Sequence, residues 1–441
     1  MNSEIVAAIQ EKNMIFVSAQ PDQTYFHWQV ELYLYQFSKH NIQDRCYAVF
    51  GYHGDKPSAY VTNLAKKYNV IAYKDERKQK TYIPSIRPHL LAKFFKEHPE
   101  LGKNVFYHDS DIFLVKLPRF DILLQDESVS YLSDTISYIG YNYIKDCGKR
   151  YKEKYPELPE DDIFQRMVKL MDIDPALVQS NEKNSGGAQY LLKDIDAQYW
   201  QDVETSCVNL YDAFLEYDTK YKLGNPIQKW TADMWAVLWT YWKRGKSTEI
   251  HVELDFSWAT GTVNDYFSKN IFHLAGVTES TQKDKFFKGK YTSRNIFDEY
   301  IAHPNVFDHI HKNNATYEYI SVMKEYVEEV YNKDNVKAKL PSKVKRFRLV
   351  SENPEGNVYV KDEGKLCCGK PIWRSIDTKF IIFFNEHTWV LTYSCYESGV
   401  KENSGGLAFC HGAEPYEDNW NNEYLVEWID AVTVPVAVEE K

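Results

Sequence analysis

Residues 104–114 read Asn104-Val-Phe-Tyr-His-Asp-Ser-Asp-Ile-Phe-Leu114. An apolar run ends in two carboxylates one residue apart, and apolar residues resume behind them. Residues i and i+2 of an extended chain point the same way, so Asp109 and Asp111 can face one point in space. Two carboxylates placed together are costly unless something cationic joins them. Oxygen donors of this kind suit a hard divalent cation. The competing reading is a solvated loop that happens to carry two acids.

Working outward, the first ~115 residues alternate strand and helix signals. Residues 14–18, 46–50, 70–73 and 104–107 are short apolar runs of the kind found in buried parallel strands. Between them, residues 23–40 carry an apolar stripe (Phe26, Val30, Tyr33, Leu34, Phe37), 58–68 begin at a capping Ser58, and 85–98 hold Pro88 in a first turn. This β-α-β-α-β-α-β order predicts an α/β fold with a mostly parallel, doubly wound sheet and right-handed crossovers. Ligands bind such sheets beyond the carboxyl ends of the strands. Asp109 and Asp111 lie at that edge, as does Ser18-Ala-Gln-Pro-Asp22 after the first strand.

Further on, residues 149–169 are charged and read as a helical excursion on the surface. Asn184-Ser-Gly-Gly-Ala-Gln-Tyr-Leu-Leu192 reads as a glycine turn entering an apolar strand. Residues 230–239 look like a helix start with Thr231 as cap. Residues 270–276 read as a strand and turn, followed by Lys283, Lys285, Lys288 and Lys290. An amphipathic helix over 317–331 closes the large domain. Beyond it a lysine-rich stretch with Pro341 gives way to short strands and turns. The expected division is therefore a catalytic domain over 1–335, a linker over 336–345, and a small antiparallel β module over 346–441.

Composition narrows the function classes. The chain has 441 residues, a formal net charge of −10 and 44% hydrophobic residues. An acidic chain of this kind argues against a broad nucleic-acid surface. No apolar run approaches the ~20 residues of a membrane span. The opening residues lack a secretory apolar core. Seven cysteines without metal-ligand spacing suit reduced thiols. A cytoplasmic location is the resulting expectation.

Taken in order, the βα half, Asp109-Ser-Asp111, the Asn184–Gly187 stretch and the His273-Leu-Ala-Gly276 turn with its trailing lysines resemble the GT-A class of nucleotide-sugar glycosyltransferases. Family 8, which includes glycogenin, is the nearest arrangement, over roughly residues 12–295. The resemblance implies a Rossmann-like GT-A fold. It also implies transfer of a sugar from a nucleoside diphosphate sugar, most readily a UDP-sugar, with Mn2+ or Mg2+. Asp109, Asp111 and His273 would hold the metal. Ser110, Asn184, Ser185, Gly186, Gly187, Gly276, Lys285 and Lys288 would stand beside the donor, and Asp233 matches the family's acid at a helix start. Two departures stand out: Met234 follows that acid where family 8 has Gln, and no tryptophan follows the lysines.

The chemistry of such a transfer fits these residue types. The leaving diphosphate gains charge, which a divalent cation and nearby lysines would neutralise. Arg87, at the entry to its helix, could clamp phosphate or sugar, or form a surface ion pair. Ala19, Gln20 and Asp22 could line the nucleobase and ribose, with Asp22 equally readable as a helix cap. Asp233 could be the base or contact the donor sugar, or could complement the helix dipole. Trp230 and Trp258 could stack on an acceptor sugar or belong to the core. Family 8 likeness leans toward retention of configuration. The acceptor is a glycan, a protein or a small molecule. Two other classes compete: a non-catalytic carbohydrate-binding or structural protein on this scaffold, and a nucleotidylyltransferase. The latter usually carries a basic, glycine-rich loop after the first strand, which residues 18–22 lack.

Overall fold

The computed structural model describes residues 2–331, and beyond them residues 344–350, 358–367, 370–375, 380–384, 389–393, 408–410 and 425–431. The chain divides into two compact units, Met1–Val327 and Glu328–Lys441.

Ten strands build the first unit: β1 (Met14–Pro21), β2 (Cys46–Tyr52), β3 (Asn69–Lys74), β4 (Asn104–Tyr107), β5 (Ile112–Leu114), β6 (Val129–Asp134), β7 (Gly186–Lys193), β8 (Ser247–Ile250), β9 (Phe256–Trp258) and β10 (Ile271–His273). Seven form one sheet in the order β3-β2-β1-β4-β7-β6-β8. The β3, β2, β1 and β4 neighbours run parallel, as do β6 and β8, while β7 is antiparallel to both β4 and β6. This is the Rossmann-like, mostly parallel α/β architecture expected from the sequence.

The period-2 alternation of a strand explains the two layers. In β1, Ile15 and Val17 enter the large core with Leu90, Tyr107, Trp200 and Trp235. Phe16 points the other way, where its ring meets Phe37, Phe106 and Phe120 at 5.5–5.8 Å. Helices Ile86–Glu97, Ala197–Lys220 and Ala232–Lys243 contribute buried residues to the first layer. Helix Thr24–Ser38 contributes Phe37 to the second.

The charged segment expected as one surface helix is two helices, Tyr141–Lys154 and Asp162–Met171. Pro156 and Pro159 lie between them and remove backbone donors. Nor do these helices merely lie on the surface: Ile144, Tyr151, Phe164 and Met167 are buried in the main core. Thr231 does not cap its helix through its hydroxyl, which donates to the Gln228 carbonyl at 2.7 Å. The final helix of the unit, Ala315–Tyr326, continues as one π turn over Val327–Tyr331.

A second, three-stranded sheet has the order β5-β10-β9. Helix Thr24–Ser38 holds its edge. The Gln36 side chain donates to the Leu114 carbonyl at 2.7 Å and accepts from the Leu114 amide at 3.0 Å, in the manner of one more strand. Among the described residues of the C-terminal unit, seven strands form one antiparallel sheet, the small β structure expected there: β11 (Val344–Val350), β12 (Val358–Cys367), β13 (Lys370–Ser375), β14 (Phe380–Phe384), β15 (Trp389–Tyr393), β16 (Ala408–Cys410) and β17 (Leu425–Ala431). They are ordered β16-β15-β14-β13-β12-β11-β17, and the cross-strand pair Trp373 and Ile382 is buried. Most of the expected linker, residues 336–343, lies outside the described residues. Among the described residues no helix is long and apolar enough to cross a membrane.

Candidate metal centre

Asp109 and Asp111 stand where the chain leaves β4 and crosses into the small sheet as β5. They converge across a turn between two strands, not along one extended strand. The third member is set by pairing: β10 lies antiparallel to β5, with His273 opposite Ile112, and the Leu274 amide donates to the Asp111 carbonyl at 2.9 Å. Ligand atoms of Asp109, Asp111 and His273 all lie within 4.8 Å of one another. His273 Nε2 is 3.5 Å from Asp109 Oδ2 and 3.4 Å from Asp111 Oδ1.

The outer carboxylate oxygens already have cations. Arg87 Nη1 lies 3.0 Å from Asp109 Oδ1, and Lys288 Nζ is bonded to Asp111 Oδ2. That leaves the inner oxygens turned toward the imidazole, as a shared ion requires. Two carboxylates and one imidazole are a donor set that Mn2+ or Mg2+ can use. These residues therefore fit a divalent cation. Burial alone would raise the Asp111 pKa, but the Lys288 ammonium and the His273 ring more than offset it and hold the carboxyl well below its usual range. Burial likewise works against the Lys288 charge, and Asp111 more than restores it. Tyr25, on the helix after β1, sits beside Lys288.

Asp233 belongs to the same cluster. Arg87 Nη1 is 3.1 Å from its Oδ2, so one guanidinium bridges Asp109 and Asp233. The Tyr82 hydroxyl lies 2.9 Å from Asp233 Oδ1 and accepts from the Asp233 amide at 3.0 Å. Tyr82 thereby does the capping that Thr231 does not. Burial raises the Asp233 pKa, against the pull of Arg87 and Tyr82. Three carboxylates face two permanent cations here. A divalent ion would turn a net charge of −1 into +1, which suits a diphosphate.

Several residues singled out from sequence sit elsewhere or are otherwise engaged. Asp22 neither caps the helix nor offers free oxygens. Its Oδ1 is 2.6 Å from His27 Nε2 and accepts from the Ser58 hydroxyl at 2.7 Å, while Oδ2 accepts from the Ser58 amide at 2.7 Å. It fastens the β2–helix connection to the end of β1. Ala19 and Gln20 are buried in β1, and Gln20 donates to the Val49 carbonyl at 3.1 Å. The Asn184 side chain bonds Asn181, and Ser185 donates to the Asn181 carbonyl. Lys285 pairs with Asp284 and not with the acids of the cluster. Ser110 is buried between the two acids in the turn.

Gly186 and Gly187 are closely packed on the side that a Cβ would take. A Cβ at Gly186 would lie 2.5 Å from both Leu132 Cβ and the Ser133 carbonyl oxygen. One at Gly187 would lie 2.7 Å from Met234 Cε and from the Tyr190 hydroxyl. The protein's own atoms fill both places. Gly276 has φ +92°, the left-handed turn that carries the chain away after His273.

Trp258 lies beside His273 in the parallel β9–β10 register, and the two rings stack with 11° between planes and centroids 6.0 Å apart. Tyr138 meets the tryptophan edge-on at 6.4 Å. Trp230, three residues before Asp233, is 60% exposed. Tyr82, Tyr138, Ser133 and Gln189 also contact residues of the site without being among the site residues named from sequence. Only Gln189 carried a signal: it is the polar residue inside the apolar run 188–192.

Fold and site together define an α/β protein with an acid–acid–imidazole cluster at the carboxyl edge of its parallel strands. No family model matches the chain, and no curated protein matches it. Among solved structures, it is similar to the mannosyltransferase PcManGT from Pyrobaculum calidifontis in complex with GDP-Man and Mn2+, at 12% identity and a TM-score of 0.23, over 52% of this chain and 71% of that one.

Proposed function

We propose that this protein is a metal-dependent glycosyltransferase that moves a sugar from a nucleoside diphosphate sugar to a hydroxyl acceptor. The observation that carries the reading is the convergence of Asp109, Asp111 and His273 beside two cations, Lys288 and Arg87, at the carboxyl edge of the sheet. A cation bound there supplies charge neutralisation for the departing diphosphate without a proton.

The chain's own residues do the rest. Lys288 and Arg87 are held in place by carboxylates before any donor arrives, so little rearrangement is needed to meet phosphate oxygens. Arg87 can turn its remaining guanidinium donors toward a phosphate or a donor hydroxyl while still bridging Asp109 and Asp233. Asp233, with its pKa raised by burial, is the candidate to accept the incoming hydroxyl's proton or to bind a donor hydroxyl. Trp258 and the exposed Trp230 offer apolar faces for an acceptor sugar. We take the donor as a UDP-sugar first and a GDP-sugar second, with retention as the expected outcome at the anomeric carbon. The catalytic unit is taken as residues 1–335, working in the cytoplasm.

The test is nucleotide release from a panel of UDP- and GDP-sugars with Mn2+, followed by NMR of the product anomer. Wild type should release nucleotide from at least one donor, and Asp109→Asn and His273→Ala should not. A panel with no turnover and no Mn2+-dependent nucleotide binding would sink the reading.

A further inference from the structure

His273 meets the two carboxylates with one ring nitrogen and a buried polar chain with the other. Its Nδ1 lies 3.4 Å from the side-chain amide of Gln189. Ser133 Oγ lies 2.8 Å from the other atom of that amide and 2.6 Å from the Leu254 carbonyl oxygen. Gln189 and Ser133 are both fully buried. The β6–β7 ladder creates this meeting. Leu132 opposes Tyr190 and Asp134 opposes Gly186, so residues 187–189 of β7 face Ser133 alone. Inside that bulge Ala188 has φ +67°, a conformation L-residues avoid.

An amide and its half-turn rotamer have the same shape but exchange donor for acceptor. With the Gln189 nitrogen toward His273, the amide oxygen and the Leu254 carbonyl both face the Ser133 hydroxyl. That hydroxyl has one hydrogen for two acceptors. With the oxygen toward His273, each of the three contacts joins one donor to one acceptor. Nδ1–H donates to the Gln189 oxygen, the Gln189 N–H donates to Ser133 Oγ, and the Ser133 O–H donates to the Leu254 carbonyl. Leaving a buried polar group unsatisfied is costly, so the second arrangement is the stable one.

We infer that Gln189, oriented by Ser133 and the Leu254 carbonyl, is a positioning residue that keeps a hydrogen on Nδ1 of His273 and turns Nε2 toward Asp109 and Asp111. The hydrogen arrangement stands on the network alone; its use in presenting Nε2 to a cation rests on the metal reading above. A partner on the far ring nitrogen fixes both the tautomer and the orientation of a ligating imidazole.

Histidine 15N NMR on the full chain reads the hydrogen directly, with His273→Ala assigning the resonance. In metal-free wild type, Nδ1 of His273 carries a hydrogen that is protected from exchange with solvent. In Gln189→Met that protection is lost. A wild-type His273 with its hydrogen on Nε2 and none on Nδ1 overturns the inference. Mn2+ affinity, read by electron paramagnetic resonance, should fall about tenfold or more in Gln189→Met. In Gln189→Glu an acceptor still faces Nδ1 but the Ser133 hydrogen is shared between two acceptors, so the affinity should lie between those of wild type and Gln189→Met. Unchanged affinity in a folded Gln189→Met protein overturns the positioning role. Failure of the metal reading looks different: wild type then binds no Mn2+ although Nδ1 remains protonated, which supports the hydrogen arrangement and removes its purpose at a cation.

Discussion

Lys288→Met tests the electrostatic arrangement of the cluster. Asp111 has 7% of its side chain exposed and Lys288 24%, and the lysine is the larger of the two charges holding that carboxyl ionised. Removing one partner of a buried ion pair costs about 3–5 kcal/mol, because a charge is left without compensation. The partial exposure of Lys288 places this case at the lower end, about 3 kcal/mol. Unfolding entropy is about 2.1 cal/mol/K per residue. For the unit Met1–Val327 that is about 0.7 kcal/mol/K, so Lys288→Met should lower Tm by about 4 °C in the absence of metal. Adding Asp111→Asn to it removes the stranded charge and should recover at least half of the loss. Mn2+ should raise the Tm of Lys288→Met more than that of wild type, since the ion replaces a missing positive charge beside two carboxylates. Differential scanning calorimetry of the three proteins, with and without Mn2+, reads all of this. A Lys288→Met protein within 1 °C of wild type, or a double variant no more stable than the single, would refute the reasoning.

Two further outcomes follow from other parts of the fold. Arg77 grips Asp75 through two bonds of 3.0 Å, and Asp75 is held down to about 2 even though burial opposes this. A carboxyl with a lowered folded pKa stabilises above its unfolded pKa and loses that contribution as pH falls through the folded one. The pH-dependent part of the cost of Asp75→Asn should therefore be about 2 kcal/mol at neutral pH, and urea titrations should show that part of the gap to wild type closing between roughly pH 4 and 2. A gap independent of pH would show that ionisation is not its source. Gly187→Ala should cost about 1–3 kcal/mol through overpacking against Met234 and Tyr190. Tyr190→Phe, which removes the oxygen 2.7 Å from the new Cβ, should recover part of it in a chemical denaturation series. No recovery would place the clash elsewhere.

Much of the first half of the unit is legible in the chain. Strands β1 to β4 and their helices announce themselves because a parallel strand buried on both faces is a short apolar run, and because Pro88 and Ser58 mark helix starts. Asp109 and Asp111 are visible for the same reason: two acids end an apolar strand. His273, Lys288 and Asp233 enter through the order of motifs that carries the resemblance, not through a local pattern around the acids. Asn184, Gly186 and Gly187 form a conspicuous local pattern, yet that pattern serves the turn and the packing of β7 on β6. Gln189 is a lone polar residue whose partners lie 56 and 84 residues away. No local pattern records such pairings.

The sequence by itself determines the parallel half of the sheet and the two carboxylates at its carboxyl edge, since strand burial and helix caps are set by neighbouring residues. Only the tertiary structure decides what those carboxylates meet. The β5–β10 ladder delivers His273, the bridge through Arg87 recruits Asp233, and Lys288 reaches Asp111 across 177 positions of chain. The physical reason is that local pattern reports how a residue is buried, whereas charge pairing and ligand geometry depend on which distant elements share that burial.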